Sequence, residues 1–253
     1  MKIDKETNLI LSISNSPGNF GNTFHNYFYR KFRQNYIYKS CVCSDIVVGV
    51  KAIRALSLFG MSISMPYKKK AIYLVDEQSV EVKKFKSLNT IINKDSRLFG
   101  FNTDVYALEQ VLKKYKIDIE RVLIIGSGAI AEMCNIYFLG KKIHMRARNT
   151  AQKEFLDEQY NNNKNDNNEY DLVINAIPNK LEELEQILSK LKSYRYVIDY
   201  PVRSEEEKKS RDGYIDGFEL TMLQAKKQYE LYTERKLTDV ELDEVTAIFK
   251  KKI

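Results

Sequence analysis

The sequence predicts an α/β protein, and three observations carry that expectation. Short apolar runs alternate along the chain with segments of helical periodicity. One run, Val122-Leu123-Ile124-Ile125, leads straight into a glycine turn. The runs that follow are apolar almost throughout, the pattern of strands in a parallel sheet covered on both faces. A chain of 253 residues, 43% of them hydrophobic and 30% charged, is large enough to bury a substantial core.

In order, strands are expected at Asn8 to Ser14, Asn35 to Cys43, Met61 to Met65 and Ser87 to Asn93, with helices around His25 to Phe32 and Asp45 to Phe59. A helix should start at Asp104, because Val105, Leu108, Val111, Leu112 and Tyr115 share a face and Glu109 precedes Lys113 by one turn. Asp104 itself is a chemically sensible N-cap there. After Val122 to Ile125 come KIHMRARN, DLVINAIPN and YVIDYP, each read as a short buried strand. The polar tract Tyr160 to Tyr170 has nothing to bury and reads as a surface loop. Phe218 to Arg235 reads as a long helix, and Thr238 to Glu241 as the capping box of a last one.

Composition excludes several classes of function. Three cysteines, Cys41, Cys43 and Cys134, are an odd number without zinc-type spacing, so neither a disulfide framework nor a metal site is expected. His25 and His144 are too far apart for a histidine-rich metal centre. The excess of 41 basic over 34 acidic residues is dispersed, with lysines beside glutamates, which fits a solvated surface and no nucleic-acid partner. No apolar run approaches the ~20 residues of a membrane span, and MKIDKETNLILSIS lacks the features of a secretory signal, so a cytoplasmic protein away from membranes is expected.

The stretch Gly126-Ser127-Gly128-Ala129-Ile130-Ala131 opens a helix after a buried strand. Such a turn lets a pyrophosphate approach backbone amides at a helix N-terminus, with Ala131 as a small residue at the third glycine position. The next strand ends in Arg146-Ala147-Arg148-Asn149, where an acidic residue would bind the ribose of NAD. Arginines there suit a 2′-phosphate through bidentate, charge-assisted bonds, so NADP is the expected cofactor.

An ordered set of motifs then resembles the shikimate dehydrogenase family over nearly the whole chain. It comprises Ser14-Asn15-Ser16-Pro17 with His25-Asn26, Ser62 to Lys68, Leu88-Asn89-Thr90 and Gly100 to Asp104, then the glycine turn, Asp171 to Ala176, Asp216-Gly217 and Gln224-Ala225. Ser62-Ile63-Ser64 stands where the family usually has Asn-Val-Thr, and seven residues separate Pro17 from His25 where typical members have two. After Pro201 the usual threonine and leucine-rich segment is replaced by a shorter charged one. These departures resemble the divergent shikimate dehydrogenase-like paralogue group.

The resemblance implies an N-terminal α/β substrate domain, residues 1–103 completed by helices of 218–253, and a Rossmann-type NADP domain, residues 104–217. It implies hydride transfer between NADP and a small ring acid, interconverting 3-dehydroshikimate and shikimate, as in aromatic amino acid biosynthesis. Lys68 and Asp104 match the catalytic pair. Ser14 and Ser16 match the carboxylate anchor, and their spacing on a strand end would point both hydroxyls one way. Ser64, Asn89 and Gln224 would meet ring hydroxyls. Gly126, Ser127, Gly128, Ala129, Ile130, Arg146, Arg148 and Asn149 would hold the cofactor, and no metal is implied. Lys69 and Lys70 read as solvated. Left open are quinate or an amino-shikimate as substrate, a low-activity or cofactor-binding regulatory role, and a monomer or homodimer.

Overall fold

The computed structural model describes residues 3–146, 168–204 and 212–250. The chain divides into two compact units, Met1–Tyr106 with Leu223–Ile253, and Ala107–Met222.

The first unit is built on a six-stranded sheet of order β2-β1-β3-β5-β6-β4, formed by β1 Asn8–Ser14, β2 Tyr36–Val42, β3 Gly60–Ile63, β4 Glu77–Gln78, β5 Thr90–Lys94 and β6 Arg97–Phe101. β1 pairs in parallel with β2 and β3, but β5 runs antiparallel to both β3 and β6. The antiparallel part arises from a tight hairpin. Lys94 pairs with Arg97, and the two residues between them, Asp95 and Ser96, both have positive φ, as a two-residue turn of matching twist requires. Asp-Ser is a weak hairpin signal, and β6 was not expected from the sequence.

Helix α1, Phe20–Lys31, starts well before His25 because Phe20, Phe24, Phe28 and then Phe32 continue one stripe at four-residue spacing, each ring packed on the next. The residues inserted after Pro17 thus form its first turn. β2 lies at the sheet edge, and α1 covers it with two amides. Asn26 donates to the Tyr38 carbonyl at 2.8 Å and accepts from the Tyr38 amide at 2.9 Å, while Asn22 accepts from the Ser40 amide at 2.8 Å. These side chains satisfy backbone groups that an edge would otherwise expose. Helix α2, Ile46–Ala55, is capped by Asp45, whose carboxylate accepts from the Val47 amide. α2 packs Ile46, Val50 and Ile53 into a core with Ile13, Met61, Ile63 and Ile91. Helix α3 is Val80–Phe85, and α4 is Thr103–Lys114.

The second unit carries a parallel sheet of order β11-β10-β9-β7-β8: β7 Arg121–Ile125, β8 Lys142–Arg146, β9 Glu169–Asn175, β10 Ser193–Asp199 and β11 Tyr214–Asp216. Helix α5, Ala129–Tyr137, follows β7, and α6, Leu181–Leu188, follows β9. β9 starts before Asp171, so Glu169 and Tyr170 belong to a strand and not to the polar tract. Asn168 precedes the strand, and residues 160–167 of that tract lie outside the described residues. The chain leaves β7 for β8 on one side and returns to β9 on the other. The strand order therefore reverses beside β7, which in open α/β sheets is where ligands bind, off the carboxyl ends.

Among the described residues two further helices follow, α7 Gly217–Thr233 and α8 Asp239–Lys250. The Thr238 and Glu241 side chains exchange bonds with each other's backbone amides, the capping box read from the sequence. Among the described residues no helix is long and apolar enough to cross a membrane.

His25 is fully buried, its ring stacked on Tyr38 with centroids 4.3 Å apart, and neither ring nitrogen has a hydrogen-bond partner among the described residues. Burial lowers its pKa from 6.5 to about 3, with the neighbouring Gln228 amide acting the other way but outweighed. The folded value lies below the unfolded one, so the stabilisation from a neutral His25 is complete above pH 6.5 and is lost as pH falls towards 3. In urea titrations, the stability difference between the native protein and His25→Phe should shift by about 2 kcal/mol between pH 8 and pH 5, against the native protein at the lower pH. A difference that does not move with pH would reject this account.

Candidate active site

β3 ends at Ile63, two residues earlier than the serine alternation implied, and the chain turns there. The Tyr67 amide donates to the Ser64 carbonyl at 3.0 Å, and the Tyr67 hydroxyl donates to the Cys43 carbonyl at 2.6 Å. A 3-10 turn, Lys70–Leu74, follows. Lys68 is held between these features, its carbonyl accepting from the Leu88 amide at 3.1 Å. Its side chain points inward, while Lys69 and Lys70 are exposed, as expected.

Lys68 Nζ donates to Asp104 Oδ2 at 2.6 Å, with side-chain exposures of only 12% and 5%. The two residues are 36 positions apart in sequence. Asp104 is not the N-cap of α4. Asn102 is: its Oδ1 accepts from the amides of Asp104 at 3.0 Å and Val105 at 3.4 Å. Asn is as good a cap as Asp, and with Asn102 in that role Asp104 falls in the first turn, where the helix dipole favours a carboxylate and its side chain is free for Lys68. Asn102 stands in the Gly100 to Asp104 motif, so the signal was present.

Asn89, at 2% exposure, does more framing than the sequence indicated. Its Oδ1 accepts from the Thr103 amide at 3.0 Å and the Thr90 hydroxyl at 2.9 Å, and its Nδ2 donates to the Thr103 hydroxyl at 3.0 Å. It thereby pins the start of α4, leaving one amide N–H uncommitted. Gln228, unnoticed in the sequence, donates to Thr90 Oγ1 at 3.1 Å and the Asn89 carbonyl at 3.4 Å. Gln224, one turn earlier on α7, is half-buried, and its side chain makes no hydrogen bond among the described residues. Ser14 is buried and its Oγ has no partner among the described residues, whereas Ser16 is exposed and lies beyond the end of β1. The strand alternation that was to align the two hydroxyls stops at Ser14. Ser64 is also exposed. Ser62 is buried, its Oγ 2.9 Å from the Tyr232 hydroxyl, a contact across 170 residues that no local signal reveals.

In the second unit, Gly126 has φ of +130°, a conformation that favours glycine, and a Cβ there would come within 3.0 Å of Ile177. Gly128 is the N-cap of α5, and a Cβ there would meet open space. Ser127, Ala129 and Ile130 are half-buried around it. Glycine at 128 thus keeps the approach to the helix N-terminus clear, as binding of a pyrophosphate to its amides requires. Arg146 pairs in register with Ile125, its carbonyl accepts from the Gly126 amide at 2.8 Å, and its guanidinium donates to Asn168 Oδ1 at 3.4 Å. A cation therefore ends the strand beside the glycine turn, and the donor set suits a phosphorylated dinucleotide. Arg148 and Asn149 lie outside the described residues.

Residues 11–91 match the family described as the shikimate dehydrogenase substrate binding domain. A shikimate dehydrogenase-like protein of Haemophilus influenzae is 31% identical over 269 residues, covering 99% of this chain and 99% of its own. A shikimate dehydrogenase (NADP(+)) of Streptococcus thermophilus is 33% identical over 135 residues, 52% of this chain and 47% of that protein. The solved structure of a shikimate 5-dehydrogenase-like protein aligns with a TM-score of 0.82 at 30% identity, covering 97% of this chain and 98% of that one. With a relative this similar along its full length, the chain belongs to the shikimate dehydrogenase family.

Proposed function

We propose that the protein is an NADP-dependent oxidoreductase that interconverts 3-dehydroshikimate and shikimate, with Lys68 and Asp104 at the reacting hydroxyl. The observation that carries this reading is the 2.6 Å Lys68–Asp104 ion pair, nearly desolvated yet saturated on neither side. Among the described residues Lys68 keeps two N–H donors beyond the one given to Asp104, and Asp104 Oδ1 accepts no bond. The ammonium can polarise a ketone oxygen or steady a developing alkoxide, and the free carboxylate oxygen can accept a hydroxyl proton. Ser14 Oγ supplies a donor for the ring acid's carboxylate, with Ser16 contributing from the segment beyond the strand. Gln224, Ser64 and the remaining N–H of Asn89 address ring hydroxyls.

Gly126, Ser127, Gly128, Ala129 and Ile130 would hold the pyrophosphate of NADP, with Arg146, Arg148 and Asn149 at the 2′-phosphate. When bound there, the cofactor accepts or supplies the hydride. The Streptococcus thermophilus relative is named for NADP(+), which supports this choice. On this reading residues 1–103 with 218–253 form the substrate domain and 104–217 the cofactor domain. A second reading, turnover of a near relative such as quinate or an amino-shikimate at a lower rate, is favoured by one observation: the Ser62 hydroxyl, where the family usually has an amide, is bonded to Tyr232.

Nicotinamide absorbance, followed with NADP⁺ and a panel of shikimate, quinate and an amino analogue, tests the reading. Asp104→Asn and Lys68→Met should each lower kcat by about 10²- to 10⁴-fold while leaving NADP⁺ affinity unchanged. Melting curves accompany both variants, because Lys68→Met leaves a carboxylate buried without its partner. Parent-like turnover in a folded variant would remove the assigned role. Arg148→Ala should weaken NADP⁺ far more than NAD⁺, and equal losses for the two cofactors would reject the 2′-phosphate assignment.

A further inference from the structure

The second unit holds a buried polar cluster that the chemistry above does not use. Asn175 and Asp199 are the last residues of β9 and β10 and face each other in register, with Asn175 also opposite Ile125, the residue before the glycine turn. Asp199 is fully buried and Arg203 is 5% exposed. Arg203 folds back from the segment after β10 to grip both carboxylate oxygens of Asp199, through Nε at 2.8 Å and Nη2 at 3.2 Å. The same guanidinium donates to the Asn179 carbonyl and, at 3.3 Å, to Asn179 Oδ1. Asn175 Nδ2 donates to Asp199 at 2.7 Å and to Asn179 Oδ1 at 2.8 Å, and the Tyr214 hydroxyl on β11 donates to Asp199 Oδ2. One side chain thus ties together the two loops that leave β9 and β10.

Stability alone is a poor account of this arrangement. A buried ion pair gains little net free energy over apolar side chains of similar volume, because desolvation offsets the attraction. Two amide atoms of the cluster, Asn175 Oδ1 and Asn179 Nδ2, are also left buried with no partner among the described residues, a cost that native structures usually carry only where position matters. The backbone around it is equally constrained. A Cβ on Gly217 would meet the carbonyl oxygens of Asp199, Tyr200 and Pro201 at 2.6 Å or less. All of this lies at the carboxyl ends of the strands, on the β9 and β10 side of the reversal in strand order. In a doubly wound sheet the adenosine half of a dinucleotide follows β7 and β8, so this side takes the other half.

We propose that Arg203 is a positioning residue for the nicotinamide half of the cofactor: by clamping the Asn179 loop to Asp199 it sets the strand-end edge on which that half rests. The inference depends on the NADP reading above. It separates a local effect from a general one, because adenosine 2′,5′-bisphosphate carries the adenine and 2′-phosphate groups but no nicotinamide.

Calorimetric titration of the full chain with NADP⁺ and with adenosine 2′,5′-bisphosphate tests the proposal. Arg203→Lys keeps the charge and loses the planar fork. It should weaken NADP⁺ by about tenfold while the bisphosphate stays within about twofold. Parallel loss of both ligands, or loss of neither, overturns the proposal. If Arg203→Lys does not melt cooperatively, Tyr214→Phe, which removes the hydroxyl bonded to Asp199, decides: the same asymmetry at about threefold supports the clamp, and its absence overturns it. A native protein that binds neither ligand overturns the NADP reading and the clamp with it, whereas a native protein that binds both isolates the fault in the clamp.

Discussion

The buried pairing of Lys68 with Asp104 is the constraint around which the first unit is arranged. Neither charge tolerates such low exposure alone, since an isolated buried ion costs several kcal/mol. The pair must therefore be delivered by backbone that cannot drift. The Leu88 amide fixes the Lys68 carbonyl, and the next residue, Asn89, holds the Thr103 amide and hydroxyl at the head of α4. Asn102 caps that helix, so Asp104 cannot swing to cap it instead. Gln228 closes the arrangement from α7 by holding Asn89 and Thr90. Residues from three chain segments thus serve one N–O distance.

The polar residues expected to meet substrate divide accordingly. Among the described residues Ser14 Oγ and the Gln224 amide find no hydrogen-bond partner, and for the buried Ser14 hydroxyl that is unfavourable until a ligand supplies an acceptor. Asn89 has spent most of its capacity on the framework, and the hydroxyl of Ser62, which was expected only as a departure from the family pattern, is bonded to Tyr232. A family motif identifies which residues surround a site; the bonds already made decide which of them still have something to offer a ligand.

How far the sequence could be read follows the same division. Strands with strong apolar patterning, the glycine turn and the inward lysine were legible because each depends on local chemistry: period, φ at Gly126, burial of one side chain among three. The start of α1 was placed at His25, and the insertion after Pro17 was noted only as a difference in length, although Phe20, Phe24 and Phe28 already carried helical spacing. β6 was missed because its turn is Asp-Ser and not a glycine-containing pair. Asp104 was assigned the cap because the apolar stripe begins at Val105, although Asn102, an equally good capping residue, stood two positions earlier in the same motif. Contacts such as Ser62 with Tyr232 depend on tertiary closure and leave no local trace. Arg203 fell in a segment that departs from the family pattern, where a resemblance has nothing to transfer.

Two ion pairs in the chain illustrate why residue type matters as much as charge. Asp199 is paired with an arginine whose fork makes four hydrogen bonds and whose charge is permanent. That combination suits a fixed joint and is useless for moving a proton. Asp104 is paired with a lysine that makes one hydrogen bond to it, on a flexible stem, with donors to spare and a proton that can be exchanged. Arginine at 68 would hold Asp104 at least as firmly, but it would occupy both carboxylate oxygens and could neither take nor release a proton at a reacting hydroxyl. The choice of lysine where the site is unsaturated, and of arginine where it is nearly saturated, is what chemistry in one unit and positioning in the other would each require.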